Sequence, residues 1–179
     1  MKRISLIAAI VFITSCEATK AHHQKTNTEI NTETPKDSSR LAELDRYWIE
    51  LSRTVREGDF EGYKAAYHDD AVVIFAARKD KVSLPIAMAL VDWKQGFLDT
   101  KTGKVNSNVA FRFSQRIGNE TTAHETGIFY YTSVDSAGNS IASHFTHFEM
   151  LLVKRNGTWY ALMEYQKSSA TQEEWEASK

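Results

Sequence analysis

The sequence has few of the residues that define specialised structural classes. Its 179 residues include one cysteine, two prolines and eight glycines. One cysteine excludes a disulfide-bonded scaffold, and so little proline and glycine excludes collagen-like and low-complexity chains. Basic residues number 22 against 23 acidic ones, without a dense basic run, which argues against a nucleic-acid partner because phosphate binding needs a concentrated positive surface. The composition is that of a globular domain.

The amino-terminal segment has the features of a secretion signal. Lys2 and Arg3 precede an apolar run over residues 4–13, which is too short to span a bilayer because a spanning helix needs about 20 residues. The segment ends in Ile-Thr-Ser-Cys, and Cys16 is the single cysteine of the chain. These four residues resemble the lipobox of bacterial lipoproteins. The resemblance implies that residues 1–15 are a removed signal peptide and that Cys16 is acylated.

An acylated Cys16 predicts attachment to a lipid bilayer of the bacterial cell envelope. Glu17 stands where the aspartate of inner-membrane lipoproteins would be, which favours the outer membrane. The alternatives are an ordinary cleaved signal with an incidental cysteine, or a buried thiol. Residues 16–40 hold many Thr and charged residues but a single large aliphatic residue, Ile30. Such a segment cannot offset its ordering entropy, and we expect a disordered tether.

Three helices and a short strand are predicted next. Apolar residues recur at helical spacing in two segments, as Leu41, Leu44, Trp48, Leu51 and Val55 in the first and Ile86, Leu90, Trp93 and Phe97 in the third helix. Gly58 ends the first helix, and Asp59 is placed to cap a short second one that carries Phe60, Tyr63 and Tyr67. An apolar run at residues 71–75 has strand length, and the third helix begins near Pro85.

The rest of the chain predicts four long strands and a polar end. They cover residues 105–117, 121–134, 140–155 and 158–168, with turns at 118–119, 135–139 and 156–157. The last turn is Asn156-Gly157, which suits a type I′ hairpin because both positions accept positive φ. Residues 169–179 are expected to form a polar tail, which frays from Thr171 onward.

The turn lengths predict which strand residues share a face. One face would carry Phe111, Phe113, His124, Thr126, Ile128, Tyr130, His144, Thr146, Phe148, Met150, Leu152, Trp159, Met163 and Tyr165. The other would carry Arg112, Glu125, Glu149 and Glu164 in one cross-strand row, with His147, Gln166, Phe129, Tyr131, Phe145, Leu151 and Leu162. The first face is the more apolar and is assigned to the interior. Three glutamates in a row would repel in a dry site, so we expect them in solvent or at the rim of a sheet-to-sheet homodimer.

The order of these elements resembles a known family. The matching motifs are Gly58-Asp59 between the first helices, the run Tyr-His-Asp-Asp-Ala-Val at residues 67–72, and Asn-Gly-Thr-Trp at 156–159. Over residues 41–168 the chain resembles the nuclear transport factor 2-like (NTF2-like) superfamily, and its SnoaL-like and DUF4440-type bacterial members in particular. The resemblance implies an α+β cone in which three amino-terminal helices pack on a strongly bent antiparallel sheet around a cavity.

The same resemblance leaves the activity open. Members include cofactor-free isomerases, cyclases and dehydratases, and also binding domains without chemistry. Many relatives end the last strand with a histidine, whereas this chain has Glu-Tyr-Gln-Lys-Ser at residues 164–168. That departure puts conserved acid–base chemistry in doubt.

Two histidines and a set of large side chains are the candidate site residues. His144 and His124 lie on the expected interior face, where a histidine can exchange protons near neutral pH; the alternative is a hydrogen bond at the cavity wall. In a catalytic site, Tyr130 or Tyr165 would stabilise a developing oxyanion. The candidate ligand-binding residues are Tyr47, Tyr63, Trp93, Phe97, Tyr130, Phe148, Met150 and Tyr165. Helical spacing makes plain core packing the favoured alternative for Trp48 and Trp93.

Neither a metal nor another cofactor is expected. His147 and Glu149 share a face, but a metal would need a third ligand such as Glu125 or Glu164, and the sequence has no metal-binding motif. Asp69-Asp70 is interpreted as a capped turn rather than a catalytic pair.

An aromatic interior with few ionisable groups predicts a bound small apolar or aromatic molecule that is not turned over. A cofactor-free lyase or isomerase using His144 or His124 is the first alternative. A protein-interaction module acting through the outer sheet face is the second.

Overall fold

The computed structural model describes residues 35–178 of the chain. The predicted signal peptide, Cys16 and most of the predicted tether therefore lie outside the described residues. The helices are α1 (Pro35–Glu57), α2 (Phe60–Ala65), α3 (Ile86–Lys101) and α4 (Gln172–Ala177), and the strands are β1 (Tyr67–Phe75), β2 (Val82–Pro85), β3 (Val105–Gly118), β4 (Thr122–Asp135), β5 (Ser140–Arg155) and β6 (Thr158–Ala170). None of the helices in this part of the chain is long and apolar enough to cross a membrane.

The first three helices form where the sequence predicts them. The α1 stripe buries Leu44, Trp48 and Leu51, although the helix begins at Pro35, inside the segment assigned to the tether. Asp59 caps α2 by accepting a hydrogen bond from the Gly62 amide at 3.0 Å.

Gly58 lets α1 pack tightly against the end of α3. It has a φ of 64°, and a Cβ there would lie 2.4 Å from the Phe97 carbonyl oxygen. A glycine is therefore required both by the backbone conformation and by the close approach of α3.

The six strands form one sheet in the order β2-β1-β6-β5-β4-β3. All neighbouring pairs are antiparallel except β1 and β6, which are parallel. Strand β2 is not predicted from the sequence; it is only four residues long. Helix α1 packs against β3, and α3 packs against β1 and β3. The predicted α+β class is confirmed.

The register of the β3–β4 hairpin differs from the predicted one. Gly118 pairs with Ala123, so the turn has four residues, not the two at 118–119, and the Asn119 side chain accepts hydrogen bonds from backbone amides within it. The β4–β5 pairing also shifts by one residue near the 135–139 turn. The β3–β4 pairing shifts by one residue as well, between Phe113 and Gln115. Because side chains alternate along a strand, the two one-residue shifts turn the odd-numbered residues of β4 inward, whereas the longer turn by itself keeps the alternation.

Strand β6 changes face along its length. Ala161 pairs with Leu152, but the next pair joins Met163 to Leu151, which leaves Leu162 as an extra residue in the strand. A bulge of this kind shifts the following side chains to the other face, until a second shift between Gln166 and Ser168 reverses the change. Glu164 and Gln166 therefore point inward, in place of the expected Met163 and Tyr165.

The predicted row of outward glutamates is wrong. Glu125 and Glu164 both pair with Met150 and lie on either side of it on the inner face. Both are buried, at 0% and 7% exposure. Glu149 is the member of the row that faces outward, because it is adjacent to Met150 on β5.

The chain end is a helix rather than a frayed tail. Thr171 and Glu174 form a capping box at the start of α4. The Trp175 ring lies 5.9 Å from the Tyr130 ring and 5.7 Å from the Phe145 ring, measured between centroids. Helix α4 thus covers part of the outer aromatic surface that the sequence assigns to a homodimer.

Candidate functional site

A cavity of about 370 Å³ lies between the helices and the inner face of the sheet. Its apolar wall consists of Leu51, Val55, Tyr63, Tyr67, Trp93, Phe97, Val109, Phe111, Phe129, Tyr131, Phe148 and Met150, and its polar groups belong to Arg78, Asp92, Thr100, Ser107, His144, Glu164 and Gln166. This size and composition suit a small organic molecule.

The helices supply the aromatic side of the cavity. Tyr63 of α2 has its ring centroid 4.8 Å from that of Phe97, 5.8 Å from that of Trp93 and 5.4 Å from that of Tyr67. Tyr63 can reach all three because α2 is held between α1 and α3 by the Asp59 cap and the Gly58 contact. Packed rings of this kind form a rigid wall.

Glu164 is the polar centre of the cavity. Its Oε2 accepts a hydrogen bond of 2.5 Å from the Tyr67 hydroxyl, and its Oε1 accepts one of 2.7 Å from the Gln166 amide. The Tyr63 hydroxyl lies 3.0 Å from that of Tyr67 and extends the chain. Burial raises the pKa of Glu164 above its usual value, and the hydrogen bonds from Gln166 and Tyr67 and the charge of Arg78 offset this only partly. Burial also raises the pKa of both tyrosines.

No basic side chain among residues 35–178 forms an ion pair with Glu164 within 4.0 Å. Arg78 acts on it only at a distance, and its guanidinium carbon lies 3.7 Å from the centroid of the Phe75 ring. Arg78 and Asp92 are both exposed and lie at the mouth of the cavity.

A second polar group lines the cavity where α3 meets β3 and β4. Ser107 accepts hydrogen bonds from the hydroxyls of Thr100 at 3.0 Å and Tyr131 at 3.4 Å, and donates one to Ser133 at 3.4 Å. These hydroxyls carry no charge. They satisfy one another's hydrogen-bonding capacity. Glu164 differs from them because its carboxyl group can carry a charge.

Most of the predicted ligand-binding residues line this cavity. Tyr63, Trp93, Phe97, Phe148 and Met150 all contribute to its wall. Tyr47 lies beside it, not in it: its hydroxyl donates to the Ala66 carbonyl at 3.2 Å and contacts the Met150 sulfur.

His144 lies at the exposed edge of the cavity. Its ring centroid is 5.4 Å from that of Tyr131 and 6.1 Å from that of Phe129. Partial burial lowers the pKa of this histidine, which favours the neutral ring.

The expected interior placement of His124, Tyr130 and Tyr165 is wrong. His124 Nε2 lies 3.1 Å from Glu149 on the outer face. Tyr130 stacks on Phe145, with ring centroids 4.2 Å apart, and Tyr165 pairs with Glu149. The one-residue shift in the β4–β5 register moves His124 and Tyr130 outward, and the Leu162 bulge moves Tyr165.

Sequence reasoning missed the central site residues. Glu164 and Gln166 are assigned to the wrong face, and Tyr67 is assigned to the second helix although it begins β1. One sequence signal is informative. Glu164 and Gln166, which have side chains of similar shape and length, are separated by Tyr165 and followed by Lys167, so the two lie at alternate positions of the strand. That alternation indicates a shared face without saying which one it is.

The metal set considered from the sequence does not assemble. His147 and Glu149 lie on the outer face, whereas Glu125 and Glu164 lie on the inner face. Across the part of the chain that the structure describes, no three His, Cys, Asp or Glu side chains are placed to hold a metal ion.

The sequence matches no protein-family model and no curated protein. Solved structures are similar to it at low sequence identity. A conserved protein from Planctomyces limnophilus is 12% identical, with a TM-score of 0.60 over 72% of this chain and 94% of that one. An NTF2-like protein of unknown function from Shewanella oneidensis is 13% identical, with a TM-score of 0.54 over 70% and 97%.

The beta subunit of benzoate 1,2-dioxygenase from Burkholderia mallei is 14% identical, with a TM-score of 0.57 over 70% of this chain and 87% of that one. At these identities the likeness shows the fold. The chain has the nuclear transport factor 2-like fold predicted from its sequence, and because this fold serves several kinds of function, the site must decide the function.

Proposed function

We propose that the protein binds a small, largely apolar or aromatic molecule in the cavity between its helices and sheet. The observation that carries this proposal is an aromatic-lined space of about 370 Å³ that contains one buried carboxylate, Glu164. Ligand sites in proteins are typically concave and apolar, with a few polar groups that orient the ligand.

A second candidate function is cofactor-free proton transfer, as in a lyase or isomerase. Its support is the raised pKa of Glu164, which makes this carboxylate a stronger base than an exposed one. The Tyr67 hydroxyl donates to the same carboxylate, and Tyr63 lies behind it. In this function Glu164 would take a proton from a carbon of the ligand and return it to another position.

A cavity-filling variant tests the binding proposal. Gly96 lines the cavity, and a Cβ there would meet no atom within 4 Å. Gly96→Leu should therefore fold and fill part of the space, because leucine is a good helix former. We expect an aromatic probe such as 2-naphthylmethanol to bind the wild type and to lose at least tenfold in affinity for Gly96→Leu.

Gln95→Leu is the matched control, since Gln95 is exposed on the same helix and does not line the cavity. Binding that is equal in wild type and Gly96→Leu would contradict the proposed site.

Hydrogen–deuterium exchange in the ligand separates binding from catalysis. For a ligand with an acidic C–H bond, NMR in D₂O should show exchange that depends on the wild-type protein and disappears in Glu164→Gln. Ligand that binds without any exchange would support the binding function and exclude proton transfer for that ligand.

We also propose that the domain is anchored to the envelope through Cys16, favouring the outer membrane. The support is the lipobox-like Ile-Thr-Ser-Cys sequence and the apolar run before it. Several acyl chains on one cysteine would give stable membrane attachment. Cys16→Ser should abolish incorporation of labelled fatty acid and release the protein from the membrane fraction; unchanged labelling would contradict the anchor.

A further inference from the structure

Glu164 is a buried carboxylate without a positive partner in the described structure. Its side chain is 7% exposed, and its two hydrogen-bond donors, Tyr67 and Gln166, are both neutral. Buried charges in proteins are generally paired, because an unpaired one loses its hydration without compensation. Glu164 is therefore either protonated or matched by a charge that enters the cavity from outside.

The rings around Glu164 suit a cation. Tyr67 donates to the carboxylate, Tyr63 packs against Tyr67, and the Trp93 ring lies edge-on to Tyr63 with centroids 5.8 Å apart. All four side chains line the same cavity. Aromatic faces attract organic cations through their quadrupole, and this attraction strengthens when water is excluded.

The charged side chains at the mouth of the cavity also favour a cationic ligand. Asp92 adds a second carboxylate beside the cavity. Arg78 is the one basic side chain among the described lining residues other than the edge histidine, His144, and its guanidinium is stacked on Phe75 rather than paired with Glu164.

We propose that the ligand of this cavity carries an organic ammonium group, which binds Glu164 within the rings of Tyr63, Tyr67 and Trp93. The inference rests on the proposed binding function and names its ligand class: an amine with an apolar or aromatic body. The ammonium supplies the positive charge that Glu164 lacks, and the body fills the apolar part of the cavity.

Three probes with one aromatic body test the charge preference. They are 2-naphthylmethylammonium, the neutral 2-naphthylmethanol and the anionic 2-naphthoate, with dissociation constants measured by calorimetry at neutral pH. We expect the ammonium to bind the wild type at least tenfold more tightly than the alcohol, and the carboxylate to bind most weakly.

Substitutions of Glu164 and Arg78, with one control, test which side chain the ligand's ammonium group binds. Glu164→Gln keeps the shape of the side chain and should cost the ammonium at least tenfold in affinity, with the alcohol changed less than threefold. Glu149→Gln is the matched control, because Glu149 lies on the outer face against Lys167. Arg78→Gln should tighten ammonium binding about two- to fivefold, because it removes a like charge at the mouth.

The wild type provides a measurement that does not depend on the folding of Glu164→Gln. Ammonium affinity should weaken as the pH falls through the raised pKa of Glu164, since protonation removes the partner charge. Tyr63 on α2 and Tyr67 on β1 face this carboxylate, and Tyr47 on α1 interacts with it electrostatically. The pKa values of all three tyrosines are raised, so their hydroxyls stay neutral. Asp92 and His144 also line the cavity, and because the dependence is assigned to Glu164, Asp92→Asn and His144→Gln should retain it.

The outcomes separate this inference from the binding function. Equal affinities for ammonium and alcohol would overturn the inference and leave the binding function in place. Tightest binding of 2-naphthoate, lost in Arg78→Gln, would overturn it in favour of an anionic ligand. If none of the three probes binds, the inference and the proposed function both fail.

Discussion

The Tyr67 hydroxyl donates a hydrogen bond of 2.5 Å to Oε2 of Glu164. It joins β1 and β6, the one parallel pair of the sheet, inside the cavity. Between Tyr67 and Val72 the pairing of these strands shifts, so Tyr67 lies opposite Ala161 while Val72 lies opposite Met163. The contact places a phenol and a carboxylate at the centre of an otherwise aromatic space.

Glu164 should give the protein an unusual dependence of stability on pH. Its pKa is raised on folding, so the folded state holds this proton more strongly than the unfolded state does. The free energy of unfolding should therefore decrease as the pH rises from about 4.5, the ordinary value, through the raised pKa. Glu164→Gln should remove that decrease, which amounts to roughly 1.4 kcal/mol for each unit of pKa shift. Urea unfolding at several pH values measures it.

Glu149→Gln provides a control of opposite sign. Lys167 and then His124 hold the pKa of Glu149 below its usual value. Its contribution to stability is present above about pH 4.5 and is lost as the pH falls through the lowered pKa. A wild-type slope that persists in Glu164→Gln and disappears in Glu149→Gln would show that the assignment to Glu164 is wrong.

Glu125 should be essential for stability rather than for binding. It is fully buried, accepts a hydrogen bond from the Trp48 indole, and forms an ion pair with Arg116 at 2.6 Å. Glu125→Ala leaves the buried Trp48 indole N–H without an acceptor and leaves Arg116 with its exposed partner Asp45 alone. It should cost about 1–3 kcal/mol of unfolding free energy. Asp45→Asn removes the exposed partner of Arg116 and should cost less than about 1 kcal/mol. Equal losses in denaturant unfolding would contradict a buried role for Glu125.

Gly127 should tolerate no side chain. A Cβ at this position would lie 1.9 Å from the Arg112 carbonyl oxygen on the neighbouring strand. Gly127→Ala must separate β3 from β4 locally, and we expect a loss above about 2 kcal/mol in thermal or urea unfolding. Gly96→Ala is the contrasting substitution, since its Cβ meets open space in a helix and should stabilise by about 0.5–1 kcal/mol. A neutral Gly127→Ala would contradict the close approach of the strands.

Trp175 should hold the chain end on the outer face. Its ring packs on Tyr130 and Phe145, and the Arg112 guanidinium lies 4.3 Å from the ring centroid. Trp175→Ala should cost about 1–2 kcal/mol. It should also uncover aromatic surface on the face proposed to form a homodimer or to bind a protein partner, so light scattering should show stronger self-association.

Gln172→Ala is the control, because Gln172 is exposed and bonds only to Glu176 within α4. A Trp175→Ala protein as stable as this control, with unchanged scattering, would contradict the role of Trp175.

Local patterns predicted the helices and strands because they depend on residues close in the chain. The apolar spacing of α1, the Asp59 cap and the Asn156-Gly157 turn each occupy a few neighbouring positions. The resemblance carried by short motifs then led to the correct fold. The helix at residues 172–177 has a local signal in its Thr171–Glu174 capping box. Six residues are too few for a helix to be stable alone, so its formation depends on the packing of Trp175 against β4 and β5.

Only some of the side chains that line the cavity could be predicted from the sequence, and the bulge in β6 shows why. Trp93, Phe97 and Phe148 were placed correctly because helix faces and the β5 register follow local alternation. Glu164 was misplaced because one extra residue, Leu162, reverses the strand face. No turn residue or apolar pattern marks that bulge.

The sequence alone determined the α+β class, the positions of nearly all elements and the aromatic character of the interior, since periodicity and turn chemistry are local properties. Only the tertiary structure decided that Glu125 and Glu164 face inward while His124 and Tyr130 face outward. Strand side chains alternate with a period of two, so a single-residue shift in pairing exchanges the two faces. Such shifts are settled by the packing of the whole sheet against the helices.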